Sequence, residues 1–107
     1  MNHDDIMRKL KFIVYGENEW RVKILPSADG ELRIQYDAHG QTVAEATHTI
    51  RNIVNLARVP IWLSVVHGYN NGTAIKDELS KMNFYGKVTY RYTPPHNEGE
   101  TIFRIAE

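Results

Sequence analysis

The chain has no cysteine. Disulfide frameworks, thiolate metal sites and cysteine nucleophiles are excluded together, and no redox compartment can be read from the composition. It also lacks an excess of either charge, because thirteen Lys plus Arg are offset by thirteen Asp plus Glu. A uniformly basic coat for nucleic acid is thereby excluded, so any phosphate contact must be local. Long apolar runs are missing too. The nearest candidate, residues 59–66, contains Pro60 and Ser64 and falls far short of the about 20 residues that span a bilayer. The first eleven residues carry Asp4 and Asp5 with no apolar run behind them, unlike a secretory signal. These absences predict a cytoplasmic protein with no membrane partner.

What is present is enough for one domain. A chain of 107 residues lies in the common single-domain range of about 100–150. By surface scaling it buries about two-thirds of the surface its unfolded form exposes. A hydrophobic share of 42% excludes a disordered or low-complexity chain.

Residues 2–10 are compatible with a short amphipathic helix carrying Ile6, Met7 and Leu10 on one side. Phe12 to Tyr15 and Trp20 to Leu25 are β-rich runs joined by Gly16-Glu17-Asn18-Glu19, the pattern of a hairpin. After the turn residues 26–30, Leu32, Ile34 and Tyr36 alternate with Arg33 and Gln35, which predicts a strand with one buried face. Thr42 with Glu45 three residues on forms a capping-box pattern, and Val43, Ala46, Ile50, Ile53, Val54 and Ala57 follow at helical spacing. A helix over roughly 42–57 is expected, and Pro60 blocks its extension. Ile61 to Val66 is uniformly apolar, which predicts a central strand buried on both faces. Strand, helix and strand make a βαβ unit whose strands are parallel neighbours. A second helix over 72–82 and strands at 87–92 and 101–105 complete the pattern, with Val88, Tyr90 and Tyr92 alternating against Lys87, Thr89 and Arg91 in the first of these strands. The expected fold is α/β: a two-layer βαβαββ mixed sheet with an additional N-terminal hairpin, residues 1–31 packing on a domain of residues 32–107.

Two predicted strands end in His-Gly, Asp37-Ala38-His39-Gly40 and Val66-His67-Gly68, the second continuing Tyr69-Asn70-Asn71-Gly72. Ligands of open α/β sheets bind beyond the carboxyl ends of the parallel strands, so both histidines fall at the candidate edge. Side-chain alternation puts Asp37 on the same side as His39, where a carboxylate can orient an imidazole. The loop of Gly68, Asn70, Asn71 and Gly72 leads into a helix whose free N–H groups favour an anion, with Lys76 in its first turn. A hydrogen-bonded loop histidine is the plain alternative for each ring. The loop lacks a Walker lysine and the three-glycine dinucleotide pattern, which argues against a nucleotide cofactor. His3, His48 and His96 receive no direct role, although His96 lies on a loop that can reach the site. Trp20, Trp62, Phe84 and Phe103 read as core. Tyr69 either stacks on a base or covers the helix start. Lys87, Arg91 and Arg104 alternate on the last strands, as a basic strip for a nucleic-acid backbone or as an ordinary solvated face.

From Leu32 onward these marks resemble the Smr (small MutS-related) domain. Its signature is an Asp-x-His-Gly strand end, a helix, and a hydrophobic strand ending in His-Gly with a glycine-rich loop into a second helix. Asp37-Ala38-His39-Gly40 and His67-Gly68-Tyr69-Asn70-Asn71-Gly72 match it, and Pro94-Pro95, Gly99 and the final apolar strand suit the family's ending. The departures are Ala38, where leucine is usual, and a loop with fewer glycines. The resemblance implies a small stand-alone member and an endonuclease that cleaves or nicks RNA or DNA, with Asp37, His39 and His67 catalytic. It implies Gly68, Asn70, Asn71, Gly72 and Lys76 on the phosphate side, and Tyr69, Lys87 and Arg91 are the candidate nucleic-acid contacts. The expected partner is nucleic acid, RNA or DNA, with the ribosome as a further candidate.

On RNA the chemistry runs without metal if one histidine removes the 2′-hydroxyl proton and the other protonates the leaving 5′-oxygen. On DNA water must attack, and Asp37 with His39 is then a candidate pair for a divalent cation. The two-imidazole route requires both rings to converge over one pocket. The alternatives are a non-catalytic nucleic-acid- or ribosome-binding module and a small-molecule phosphate-ester hydrolase.

Overall fold

Alternation of apolar and polar residues sets the architecture, because each strand has one face to hide. In a computed structural model, residues 8–10, 16–25, 30–56, 60–68, 73–82, 86–95, 97 and 99–105 are described. The elements are a 3-10 helix Gly16–Arg21, β1 (Val22–Leu25), β2 (Leu32–Asp37), α1 (Val43–Leu56), β3 (Ile61–Val66), α2 (Thr73–Leu79), β4 (Val88–Tyr92) and β5 (Glu100–Ile105). Residues 8–10 are also helical. The strands form one mixed sheet in the order β1-β2-β3-β5-β4. β2 and β3 run parallel in the register Leu32↔Ile61 to Asp37↔Val66, joined through α1. The other neighbouring pairs are antiparallel.

The start of α1 follows from its sequence. Glu45 N–H donates to Thr42 Oγ1 at 3.1 Å and Thr42 N–H donates to Glu45 Oε1 at 2.9 Å, the reciprocal exchange of a capping box. Ala46, Ile50, Ile53 and Val54 are buried and join Ile75 and Leu79 of α2 over the inner sheet face of Ile34, Tyr36, Leu63, Val65 and Phe103. Leu10 and Val22 belong to the same core, so the segment before residue 32 shares the domain's apolar interior. No described helix is long and apolar enough to cross a membrane.

Three expectations need correction. Residues 16–21 form a 3-10 helix instead of a simple hairpin loop, and β1 pairs with β2, while residues 12–15 lie outside the described segments. β3 is buried on one face only, since Trp62, Ser64 and Val66 alternate as half-buried residues with fully buried Ile61, Leu63 and Val65. Both helices lie on the inner face, and no described helix lies across the other. In β4, Val88, Tyr90 and Tyr92 do not share a face, because the ladder shifts register between Val88 and Tyr90. A bulge of this kind re-aims every side chain beyond it. Arg91 consequently pairs opposite buried Phe103, while Tyr90 and Tyr92 lie opposite Arg104 and Ile102.

Candidate functional site

Both His-Gly turns need a backbone that only glycine adopts without strain. Gly40 has φ +82° and Gly68 has φ +84°, the left-handed region where a Cβ is costly. The parallel pairing of β2 and β3 carries their ends to one edge, where Ala38 N–H donates to Val66 O at 2.8 Å. There the turns are neighbours: a Cβ at position 68 would sit 3.7 Å from His39 Cβ. The edge is the one expected for a ligand site beyond the carboxyl ends of parallel strands.

Asp37 and His39 form an oriented pair. Asp37 Oδ1 accepts the His39 backbone N–H at 3.1 Å and also contacts His39 Nδ1. Facing a carboxylate oxygen, Nδ1 carries the proton, so Nε2 bears the lone pair. The imidazole is exposed, at 59% for its side chain, and no described residue bonds Nε2. Tyr36 steadies the turn from beneath. Its hydroxyl donates to Gln41 Oε1, and burial raises its pKa against the opposing hydrogen bond with Thr49.

A residue outside the Smr resemblance ties this strand end down. Arg21 Nη1 donates to Asp37 O at 3.0 Å and His39 O at 2.8 Å, and Arg21 Nε to Asn18 Oδ1 at 2.9 Å. The same guanidinium stacks over Trp20 at 4.6 Å, whose ring centroid lies 5.9 Å from that of His39. Trp20 is therefore a wall of the site, 57% exposed, and not the core residue that its apolar character suggested. The signal was available in Trp20-Arg21 following a polar turn, but no periodicity rule connects that turn to a strand end eighteen residues on.

His67 is placed differently. Only 1% of it is exposed. Its Nδ1 lies 3.1 Å from Gly68 O and its Nε2 2.9 Å from Thr101 Oγ1. A carbonyl can only accept, so Nδ1–H donates to Gly68 and Nε2 accepts the Thr101 hydroxyl. Burial pushes its pKa below the usual histidine value; the Gly68 carbonyl opposes that, the Lys76 charge adds to it and Glu100 opposes it. The ring is thus a neutral, doubly bonded core group. His67 N–H and Gly68 N–H both donate to Gly99 O, at 2.8 and 3.0 Å, joining the turn to β5. The two imidazoles do not converge over a shared pocket, and the two-histidine route loses its geometric premise.

Among the other candidates, Tyr69, Asn70, Asn71 and Gly72 lie outside the described residues. Gly68 and Lys76 remain beside the site, Lys76 close enough for its charge to act on His67. Lys87 sits half-buried just before β4. Arg91 turns inward, donating from Nη1 to Ser80 O and from Nη2 to Met82 O at the end of α2, with its guanidinium over Phe103 at 5.3 Å. Those two nitrogens hold backbone while the buried Nε has no partner among the described residues, so the guanidinium expected to contact nucleic acid is engaged with the end of α2. Arg104 is paired with Glu31 at 3.1 Å. His48 is exposed on α1 with Asn52 3.2 Å away, and His3 and His96 lie outside the described residues. Asp37 and His39 offer two metal donors, and among the described residues no group of three or more acidic or histidine side chains lies together.

No family model matches the chain, and no curated relative or solved structure matches it significantly.

Proposed function

We propose that the chain is an Smr-like endonuclease acting on phosphodiester bonds of RNA or DNA, with Asp37 and His39 as its acid–base unit. One observation carries this reading: an exposed imidazole whose Nδ1 is engaged by a carboxylate, leaving Nε2 as a proton acceptor at the carboxyl edge of two parallel strands. On RNA, Nε2 takes the 2′-hydroxyl proton, the oxygen attacks phosphorus, and the 5′-oxygen departs to leave a 2′,3′-cyclic end. With His67 committed to Thr101, solvent or Lys76 supplies the leaving-group proton. On DNA the same nitrogen activates water. The Lys76 charge, close enough to act on His67 at the same edge, offsets the charge that develops on the phosphate. Asp37 preserves the tautomer, and Arg21 holds the strand end that carries both residues.

The test is cleavage of labelled RNA and DNA with and without EDTA, with identification of product ends. His39→Ala is expected to lower cleavage by roughly 10²-fold or more while leaving the thermal transition unchanged. A folded His39→Ala protein that cuts at the native rate would refute the assignment. The burial of His67 favours a second reading, a non-catalytic nucleic-acid- or ribosome-binding module, in which the wild-type protein retains strands and never cuts them.

A further inference from the structure

The face of the sheet turned away from α1 and α2 carries an unusual row of side chains. Strand register places Leu25, Arg33, Trp62, Arg104 and Tyr90 side by side across β1, β2, β3, β5 and β4. The next row holds Lys23, Gln35, Ser64, Ile102 and Tyr92. Trp62 lies between two guanidiniums, Arg33 at 5.5 Å and Arg104 at 5.1 Å from its ring centroid. Its indole N–H donates to Glu31 Oε2, and Glu31 also pairs with Arg104. At the edge, Tyr90 and Tyr92 are 58% and 37% exposed, with ring centroids 5.4 Å apart. Between the rows runs an open groove of about 140 Å³ lined by Leu25, Gln35, Trp62, Ser64 and Ile102 among others. The Ser64 hydroxyl has no hydrogen-bond partner.

A water-facing sheet surface is normally polar, and exposed apolar side chains held together, as Tyr90 and Tyr92 are here, mark an interaction site. Aromatic rings interleaved with guanidiniums are what unpaired bases and their phosphates recognise: bases stack on tyrosine rings and arginine planes while the cations meet the backbone. A duplex keeps its bases stacked inside and offers no such faces. Asp37 follows Arg33 and Gln35 along the same side of β2, about 13 Å beyond Arg33 at ordinary strand rise. A strand lying over the groove therefore leads to the edge where His39 stands.

We propose that this open face is the bed of a single-stranded nucleic acid, whose bases stack on Tyr90, Tyr92 and the Trp62–arginine cluster while its backbone runs toward Asp37 and His39. The inference rests on the nucleic-acid reading above and narrows the substrate to unpaired strands. Lys23, Arg33 and Arg104 are offset on this face by Glu31, Asp37 and Glu100, so stacking outweighs charge. Phosphate contacts are correspondingly few, each contributing a salt slope of about −0.7.

The test measures anisotropy of a labelled oligouridine of about 12 nucleotides against His39→Ala protein, which prevents cutting during the titration, and against the same protein with Tyr90→Ala and Tyr92→Ala. The tyrosine pair lies at an exposed edge, so its loss leaves the fold intact by circular dichroism. The expected result is an affinity loss of about tenfold or more, a preference for the single strand over its duplex, and, with His39 restored, a raised KM at unchanged kcat. Equal binding by the two proteins would overturn the inference, even with cleavage and its loss in His39→Ala both observed. Tyrosine-dependent binding without His39-dependent cleavage would keep the inference and remove the endonuclease. A concentration-dependent dimer abolished by the tyrosine substitutions would assign the face to a second copy of the chain and overturn it.

Discussion

Thr101→Val separates the two histidines by their work. Valine keeps the shape of the threonine but removes the hydroxyl that donates to His67 Nε2 at 2.9 Å. With His67 only 1% exposed, water cannot replace that donor without opening the turn. An unsatisfied buried acceptor costs about 1–3 kcal/mol. For a chain near 107 residues each kcal/mol lowers the melting temperature by about 5 °C, so a fall of about 5–15 °C is expected. Differential scanning calorimetry reads it, with cleavage assayed well below the transition. If Nε2 has only this structural partner, the cleavage rate of the folded variant stays within about threefold of wild type, against the roughly 10²-fold expected for His39→Ala. A variant that melts like wild type yet loses cleavage as severely as His39→Ala would show His67 acting on substrate, and would restore the two-histidine route.

Two further outcomes follow from the same contacts. His67 has a folded pKa below its unfolded value near 6.5, so the unfolded chain binds the extra proton. Its contribution to stability is complete above about pH 6.5 and is lost as the pH falls below that value toward the folded pKa; urea titrations should show this, and His67→Leu should flatten that part of the slope. Arg21→Ala removes donors from Asp37 O and His39 O, worth about 1 kcal/mol each, and is expected to lower kcat about tenfold or more by loosening the pair. Arg21→Lys should not restore it, because one ammonium cannot reproduce the fork that reaches both carbonyls and Asn18; full rescue by lysine would show that charge alone matters.

Much of the fold was legible because local rules and tertiary packing agree. The Thr42–Glu45 box starts α1 where the sequence predicts, and the length of the crossover makes β2 and β3 parallel neighbours. The readings that failed are those in which one-dimensional pattern says nothing about the second face of an element. Ile61 to Val66 is apolar throughout, yet half of it covers an open face, with Trp62 protected by arginines from two neighbouring strands instead of by a helix. In β4 a single register shift defeats strict alternation: the two tyrosines go out and Arg91 goes in. At the site, Asp37 and His39 were readable from spacing of two, because a strand end keeps its alternation. The fate of His67 follows the same alternation, since it continues Ile61, Leu63 and Val65 onto the buried face, but a run that is apolar throughout hides which of its faces is the inner one, and nothing in it tells that Thr101, thirty-four residues later, would meet the ring.

The segment before residue 32 changes how the edge must be understood. Without Arg21, the carbonyls of Asp37 and His39 would lose their bonds to the 3-10 helix, leaving the pair to the Asp37 carboxylate and to the bond of Ala38 N–H with Val66 O. Arg21 satisfies those acceptors and brings Trp20 beside His39 through the same guanidinium. One cation thus sets both the backbone that aims the imidazole and the aromatic wall beside it. The parallel strands bring Asp37 and His39 to the right edge and the carboxylate turns the ring, but the backbone that carries both is held by a segment that the family resemblance does not cover.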